Sequence, residues 1–361
     1  MANETKVLGM KAESGRWLLV VTGLIINICL GTVYAWSVFI KPLQAHFNLD
    51  PKVAATKSIL PFIVFLAFFA ILMPLAGRLL DKFSPRLIAV LGGIIMGLGW
   101  IISSFAPNMG ILTITYGIIA GGGVGILYGV PIAVSGKWFP DKKGLAVGLT
   151  VLGFGVSALI TAPLAKWLIG PADAKFMILG ATLASSSPAI GVMNTFLYLG
   201  VAFLIISVLL SLTMVFPPAG YKPEGWTPPP ATSLAADLVP GEMLKTPSFY
   251  GLWLCFIIGA LAGLTAIGIA SPCGTEIVKC SPSSAAMAVS IFAIFNGVGR
   301  PVFGWLTDKL TPKGAAILSF VIIIISSLIM LFAVGEGDMG LWITAFCGFW
   351  LCLGGWLAIA P

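Results

Sequence analysis

Ten stretches of this chain, each about 20 residues or longer, carry almost no charge. They are residues 17–40, 54–77, 87–106, 111–135, 144–169, 192–216, 248–271, 285–304, 314–334 and 341–361. An α-helix needs about 20 apolar residues to cross a bilayer, so the expected fold class is an all-α polytopic membrane protein. Composition points the same way: 58% of residues are apolar and only 9% charged, where a soluble domain carries about 25%. So little polar surface excludes an ordinary soluble enzyme, a nucleic-acid binder and a disordered chain. The net charge of +7 is read as topology information, not as a phosphate-binding footprint. Segment 170–191, rich in Ser, Ala and Pro, reads either as a long outer loop or as a short re-entrant piece.

Orientation follows from the bases between the runs. With the N-terminus inside, the inner segments hold thirteen: Lys6, Lys11, Arg16, Arg78, Lys82, Arg86, Lys137, Lys142, Lys143, Lys222, Lys245, Lys309 and Lys313. The outer segments hold six: Lys41, Lys52, Lys57, Lys166, Lys175 and Lys279. The excess places the N-terminus in the cytoplasm of a cell whose plasma membrane the chain crosses many times. The polar start, Met1 to Gly15, and the long run behind it do not match a cleavable signal peptide.

Residues 217–247 contain Pro217, Pro218, Pro223, Pro228, Pro229, Pro230, Pro240 and Pro247. That density breaks helix and favours an extended linker. The expected division is a six-helix half over 1–216, a cytoplasmic linker over 217–247, and a second half over 248–361. An internal repeat agrees with it. Gly77-Arg-Leu-Leu-Asp81-Lys82-Phe-Ser-Pro85-Arg86 recurs as Gly304-Trp-Leu-Thr-Asp308-Lys309-Leu-Thr-Pro312-Lys313, at an offset of 227 residues and after the second run of each half. In such a loop Gly77 and Gly304 allow close packing, and Asp81 and Asp308 can accept backbone N–H groups at a neighbouring helix start. Lys82, Arg86, Lys309 and Lys313 face the anionic inner leaflet.

Arg300 is the one base assigned to a run and to neither set of connections, since Lys57 and Lys166 stand three residues from the outer ends of theirs, and no Asp or Glu lies in any of the ten. A centred Arg costs about 2.5–3.5 kcal/mol on insertion scales, so it must snorkel at an end, be paired, or face a wet cavity. Pro301 removes an N–H from the helix behind it, and Asn296 stands at i−4 on the same face. A guanidinium is a planar fork matched to a carboxylate, and Asn296 can orient that fork, bond a ligand, or bond a neighbouring helix. Gly117, Gly121, Gly125 and Gly129 form a stripe suited to close helix contact, static or sliding. Of six cysteines, Cys273 and Cys280 flank a polar loop and either pair or stay free; the single His46 and the absence of Cys-x-x-Cys leave no metal or haem site. No cofactor is expected.

The repeated loops resemble the major facilitator superfamily of secondary transporters, whose pattern is G-x-x-x-D-[RK]-x-G-x-[RK]; Ser84 and Thr311 replace the second Gly. Val33-Tyr34-Ala35-Trp36-Ser37-Val38-Phe39, Gly125-Ile-Leu-Tyr128-Gly129, Lys137-Trp-Phe-Pro-Asp-Lys-Lys-Gly-Leu-Ala146, Gly241-Glu-Met-Leu-Lys-Thr-Pro247 and Phe295-Asn296-Gly-Val-Gly-Arg300-Pro301 narrow this to the oxalate–formate antiporter and monocarboxylate transporter branch. The resemblance covers roughly Arg16 to Pro361. It implies two six-helix halves with an anion bound near the midplane, and twelve spans; with ten here, the second half reads as truncated after its fourth helix. It also implies that Arg300 faces the cavity and binds substrate, and that Tyr34 and Tyr128 contact it. A lysine that the related antiporter uses on its eleventh helix has no counterpart, and Leu353 and Leu357 stand where that antiporter carries Trp and Tyr. The implied activity is secondary transport of a small carboxylate, a monocarboxylate such as lactate, pyruvate or formate, by anion exchange or with a proton. The implied partners are the anion, a proton and the bilayer, with the protein a monomer, no nucleic acid and no enzymatic role. A membrane solute sensor, an oxalate exchanger, a membrane enzyme and an aqueous channel are the alternatives.

Overall fold

Among the described residues, four helical segments start at the same two-residue signature, a side-chain cap followed by proline. Asp50 accepts the N–H of Lys52 (2.9 Å), Ser84 that of Leu87 (3.3 Å), Thr246 that of Phe249 (3.3 Å) and Thr311 that of Gly314 (3.4 Å). Each oxygen satisfies an amide that the first turn leaves without a helical partner. Pro51, Pro85, Pro247 and Pro312 follow, where the missing N–H is not needed and the fixed φ suits the helix.

The computed structural model describes residues 6–173, 175–178, 181–227, 240–280 and 282–359. A short hairpin, β1 (Lys6–Val7) with β2 (Met10–Lys11), leads into α1 (Ala12–Leu30). A 3-10 turn, Gly31–Ala35, interrupts the first apolar run before α2 (Trp36–His46). Then come α3 (Pro51–Leu79), α4 (Pro85–Ser103), α5 (Met109–Leu112), a π-helical stretch over Thr113–Ala120, α6 (Gly121–Trp138) and α7 (Lys143–Ile169). The segment after α7 is a loop that carries an antiparallel hairpin, β3 (Phe176–Ile178) with β4 (Ala181–Ala184). It is tied back by the Trp167 indole N–H on the Ser186 carbonyl, 2.7 Å. Then follow α8 (Gly191–Ser211), α9 (Pro240–Met243), α10 (Pro247–Pro272) with a π turn over Cys273–Ile277, α11 (Pro282–Glu336) and α12 (Met339–Ile359). Between α8 and α9, residues 217–227 form turns without helix or strand; the expected linker residues Pro228, Pro229 and Pro230 lie outside the described residues, as does Pro361.

Among the described residues nine helices are long and apolar enough to cross a membrane. One of them, Ala288–Ala333, spans 46 residues, about 70 Å at 1.5 Å per residue and far more than the ~30 Å of hydrocarbon. It is broken at Thr311, whose φ of 72° and ψ of 158° are not helical. The two arms on either side of that break are the eighth and ninth runs of the sequence.

The chain forms two compact units, Met1–Trp138 with Gly153–Pro217, and Phe139–Leu152 with Pro218–Pro361. The start of α7, as far as Leu152, therefore belongs to the second unit and the remainder to the first. The first unit is centred on aromatic rings: Trp36 stacks on Tyr116 at 4.6 Å, and Trp100 lies 5.0 Å from Phe196. Along α6, a Cβ on Gly121 or Gly125 would come within 2.7 Å of the Phe65 or Phe69 carbonyl of α3, so these glycines set the helix separation. Gly129 has nothing within 4 Å, so the stripe expected from Gly117 to Gly129 ends one turn earlier. Arg16 is buried at the end of α6, paired with Glu13 (2.6 Å) and donating to the Trp138 carbonyl (3.3 Å), where a helix C-terminus favours a cation. The second unit packs Phe292, Trp342, Phe346 and Trp350 in one cluster, and Phe303, Cys352 and Trp356 in another.

Candidate functional site

Arg300 lies on the first arm of α11 and has no exposed surface. Its Nη1 donates to the Val151 carbonyl of α7 at 2.6 Å, and its Nη2 to the Asn296 Oδ1 at 3.4 Å. These two bonds set the guanidinium against the backbone of α7 and the side chain of Asn296. It does not snorkel. The charge is buried on oxygens of a carbonyl and an amide, the kind of compensation that a charge in an apolar interior requires.

Glycines bring these backbones together. A Cβ on Gly148 would lie 2.5 Å from the Arg300 carbonyl, and one on Gly144 would collide with the carbonyl of Gly304. On the opposite side, a Cβ on Gly299 would meet the Leu351 carbonyl of α12, and one on Gly354 the Asn296 carbonyl. The first arm of α11 is thus gripped between two helices with almost no side chain interposed. Asn296 completes the grip. Its Nδ2 donates to the Trp350 carbonyl at 3.3 Å while its Oδ1 takes the guanidinium. Of the roles open to Asn296, the geometry displays two, orientation of the fork and a bond to a neighbouring helix.

One turn beyond Gly304, the two carboxylate oxygens of Asp308 accept the N–H groups of Gly144 and Leu145, both at 2.8 Å. A carboxylate at a helix start meets both the orphan amides and the positive end of the dipole. The repeat partner behaves otherwise. Asp81 is exposed and, among the described residues, makes no hydrogen bond or ion pair, and Gly77 has nothing within 4 Å. Among the described residues no neighbour meets Gly77, so the close packing expected there is seen at Gly304 alone of the two. Lys82, Arg86, Lys309 and Lys313 are all exposed.

Tyr34 and Tyr128 belong to the first unit. Tyr34 sits in the 3-10 turn after α1 and Tyr128 in α6, and both rings stand edge-on to Phe154 of α7, at 5.1 and 5.3 Å. Phe69 of α3 completes the group, 5.2 Å from Tyr128. Gly31 makes this possible, since a Cβ there would lie 2.5 Å from the Phe154 carbonyl. The residues that sequence reading passed over are therefore Val151, Phe154, Phe69, Gly144 and Gly148. Only the last two carried a signal, a Gly-x-x-x-Gly spacing at the start of α7.

Cys273 and Cys280 are both free thiols, and burial, with the neighbouring Cys280, pushes the Cys273 thiol up. Among the described residues no group of three or more His, Cys, Asp or Glu is placed to hold a metal ion.

The Major Facilitator Superfamily profile matches residues 21–361. The chain is 30% identical over 297 residues to the oxalate:formate antiporter of Oxalobacter formigenes, an alignment covering 82% of this chain and 64% of that one. It is 27% identical over 331 residues to monocarboxylate transporter 12-B of Danio rerio, covering 86% of this chain and 65% of the relative. The chain thus spans just under two thirds of the length of these relatives. In fold it is similar to a bacterial homologue of the human lysosomal transporter Spinster, solved inward-facing and unoccupied, with a TM-score of 0.60 at 19% identity, covering 94% of this chain and 74% of that one.

Proposed function

The chain belongs to the Major Facilitator Superfamily as an integral, multi-pass membrane protein, and from that premise we propose that it is a secondary active transporter of small carboxylate anions, foremost monocarboxylates such as lactate, pyruvate or formate. The observation that carries the reading is Arg300: a fully buried guanidinium in an apolar run, aimed by Asn296. A planar fork of donors suits a carboxylate, and a single such charge suits an anion with one carboxylate. The relatives named above support the substrate class. Oxalate exchange is the second reading, favoured by the named activity of the Oxalobacter formigenes relative. Tyr34 and Tyr128 are proposed as further substrate contacts on the strength of the resemblance. The N-terminus and the linker 217–247 are proposed to be cytoplasmic, in a plasma membrane, from the distribution of bases.

The test is uptake of labelled lactate, formate and oxalate into proteoliposomes holding the full-length protein. Arg300→Ala should lose about 30-fold of uptake or more, the ~2–5 kcal/mol typical of truncating a buried charge partner. Arg300→Lys should recover little, because the fork is lost. Wild-type uptake by an inserted Arg300→Ala protein would sink the reading, whereas saturable binding without flux would favour a sensor. A thiol label at a cysteine introduced in 240–247 should react in inverted vesicles only.

A further inference from the structure

We propose that the start of α7, residues 143–151, is a latch closed on the first arm of α11, and that the substrate carboxylate opens it by taking the Arg300 guanidinium from the Val151 carbonyl. The inference rests on Arg300 as the anion-binding group and adds a conformational consequence to it.

Four contacts join the two helices, in antiparallel order. Asp308 takes the amides of Gly144 and Leu145, Gly304 meets Gly144, the Arg300 carbonyl meets Gly148, and the Arg300 guanidinium meets Val151. The seam is about two helical turns long, ~11 Å. Three of the contacts are made by backbone or by the Asp308 cap, and a carboxylate in the membrane cannot alter them directly. The fourth differs in kind. It places a full positive charge on a neutral carbonyl in the interior of α7. That oxygen has two lone pairs, so it can serve its own helix and the guanidinium at once, and loses only the second bond when the guanidinium leaves.

A carboxylate competes well for those N–H groups. It presents two charged oxygens in the geometry of the fork, and charge-assisted hydrogen bonds are roughly twice as strong as neutral ones. With the latch closed the guanidinium has no exposed surface, so anion binding and latch closure are mutually exclusive uses of one group. A ligand that binds only the open arrangement shifts the population toward it. Asn296, bonded to the Trp350 carbonyl of α12 and not to α7, holds the fork in both arrangements. The latch is the coupling element: occupation of the site by an anion frees the α7 start, and a neutral solute of the same shape does not.

The experiment measures the seam separately from transport. The full-length protein, with its six cysteines replaced, receives spin labels at Lys143 and Leu310, both exposed, and is reconstituted in liposomes. Lactate should raise the ratio of long to short label separations about fivefold or more, the usual lower bound for coupled sites. Lactamide, the neutral amide, should leave the ratio unchanged. In Arg300→Ala the response to lactate should vanish, and in Gly148→Ala, where a methyl wedges against the Arg300 carbonyl, the long separation should dominate without any anion. Arg300-dependent lactate uptake with an unmoved label separation overturns the latch and leaves the transport reading standing. An equal response to lactamide also overturns it. Absence of both uptake and response with lactate, formate and oxalate overturns the two together.

Discussion

Gly144 and Gly304 meet backbone against backbone, each occupying the place where the other's Cβ would be. The contact predicts an asymmetry between the two copies of the repeated loop. Gly304→Ala and Gly144→Ala each have to push a helix aside and should cost about 1–3 kcal/mol, the usual penalty for overpacking. Gly77→Ala, at the repeat position, meets nothing within 4 Å. It should be neutral or stabilise α3 by up to ~1 kcal/mol, because Ala is the better helix former. Thermal unfolding of the three variants in one detergent checks this; equal melting temperatures for Gly77→Ala and Gly304→Ala would contradict it.

A second asymmetry concerns the acids. Asp308 binds two amides of a helix start and Asp81 is exposed without a partner among the described residues. Asp308→Ala should therefore cost about 1–2 kcal/mol, the value of a lost helix cap with its dipole interaction. Asp308→Asn should retain part of it, since one amide oxygen can still accept. Asp81→Ala should stay within about 0.5 kcal/mol of the parent. Amide exchange at Gly144 and Leu145 gives an independent reading: it should quicken in Asp308→Ala and not in Asp81→Ala. No change in exchange at these amides would remove the cap from the account.

These contrasts mark the boundary of what the sequence discloses. The repeat itself was legible, because Gly, Asp, Lys and Pro recur at one offset. Which copy finds a neighbour was not legible: Gly77 and Gly304 are the same letter, and only the chain crossing beside them tells them apart. Val151 could not be found at all, since its contribution is a backbone carbonyl that any residue would supply. Phe154 is one of 23 phenylalanines, and nothing local separates a ring that holds two tyrosines from one that faces lipid. The 3-10 interruption at Gly31–Ala35 was likewise invisible, because no proline marks it and the run stays apolar throughout.

The serine and threonine that replace the second glycine of the loop pattern are predicted to respond in opposite directions when glycine is restored. Thr311 adopts φ 72° and ψ 158°, a region that only glycine enters without penalty, at a cost of about 1–3 kcal/mol for other residues. Ser84 has φ −63° and ψ 143°, ordinary extended backbone. Thr311→Gly should stabilise the protein by ~1 kcal/mol, with loss of the cap to Gly314 subtracting a few tenths. Ser84→Gly has no strain to release, so it should lose a few tenths for the cap and more for the added freedom of the unfolded chain. Paired melting curves decide the matter, and a loss of stability in Thr311→Gly would mean that the strain is smaller than the cap.

The last prediction concerns coupling and follows from the absence of any Asp or Glu in the ten apolar runs. Within these runs a proton shuttle on a carboxylate side chain has no residue to use. A bound carboxylate neutralises Arg300, so the loaded site reorients as a neutral pair. The empty site reorients without the anion's charge beside the guanidinium, and moving charge through a low-dielectric interior is slow. Return of the loaded carrier should therefore be faster than return of the empty one, which favours exchange of one anion for another. Net uptake is then limited by the empty return, whether or not a proton accompanies the anion. Counterflow of lactate into liposomes preloaded with lactate should exceed net uptake into empty liposomes at neutral pH. Arg300→Gln, which removes the charge and keeps a donor, should narrow the gap between the two rates even as it lowers both. Net uptake faster than counterflow at every pH would show that the charge of the empty carrier does not limit the cycle.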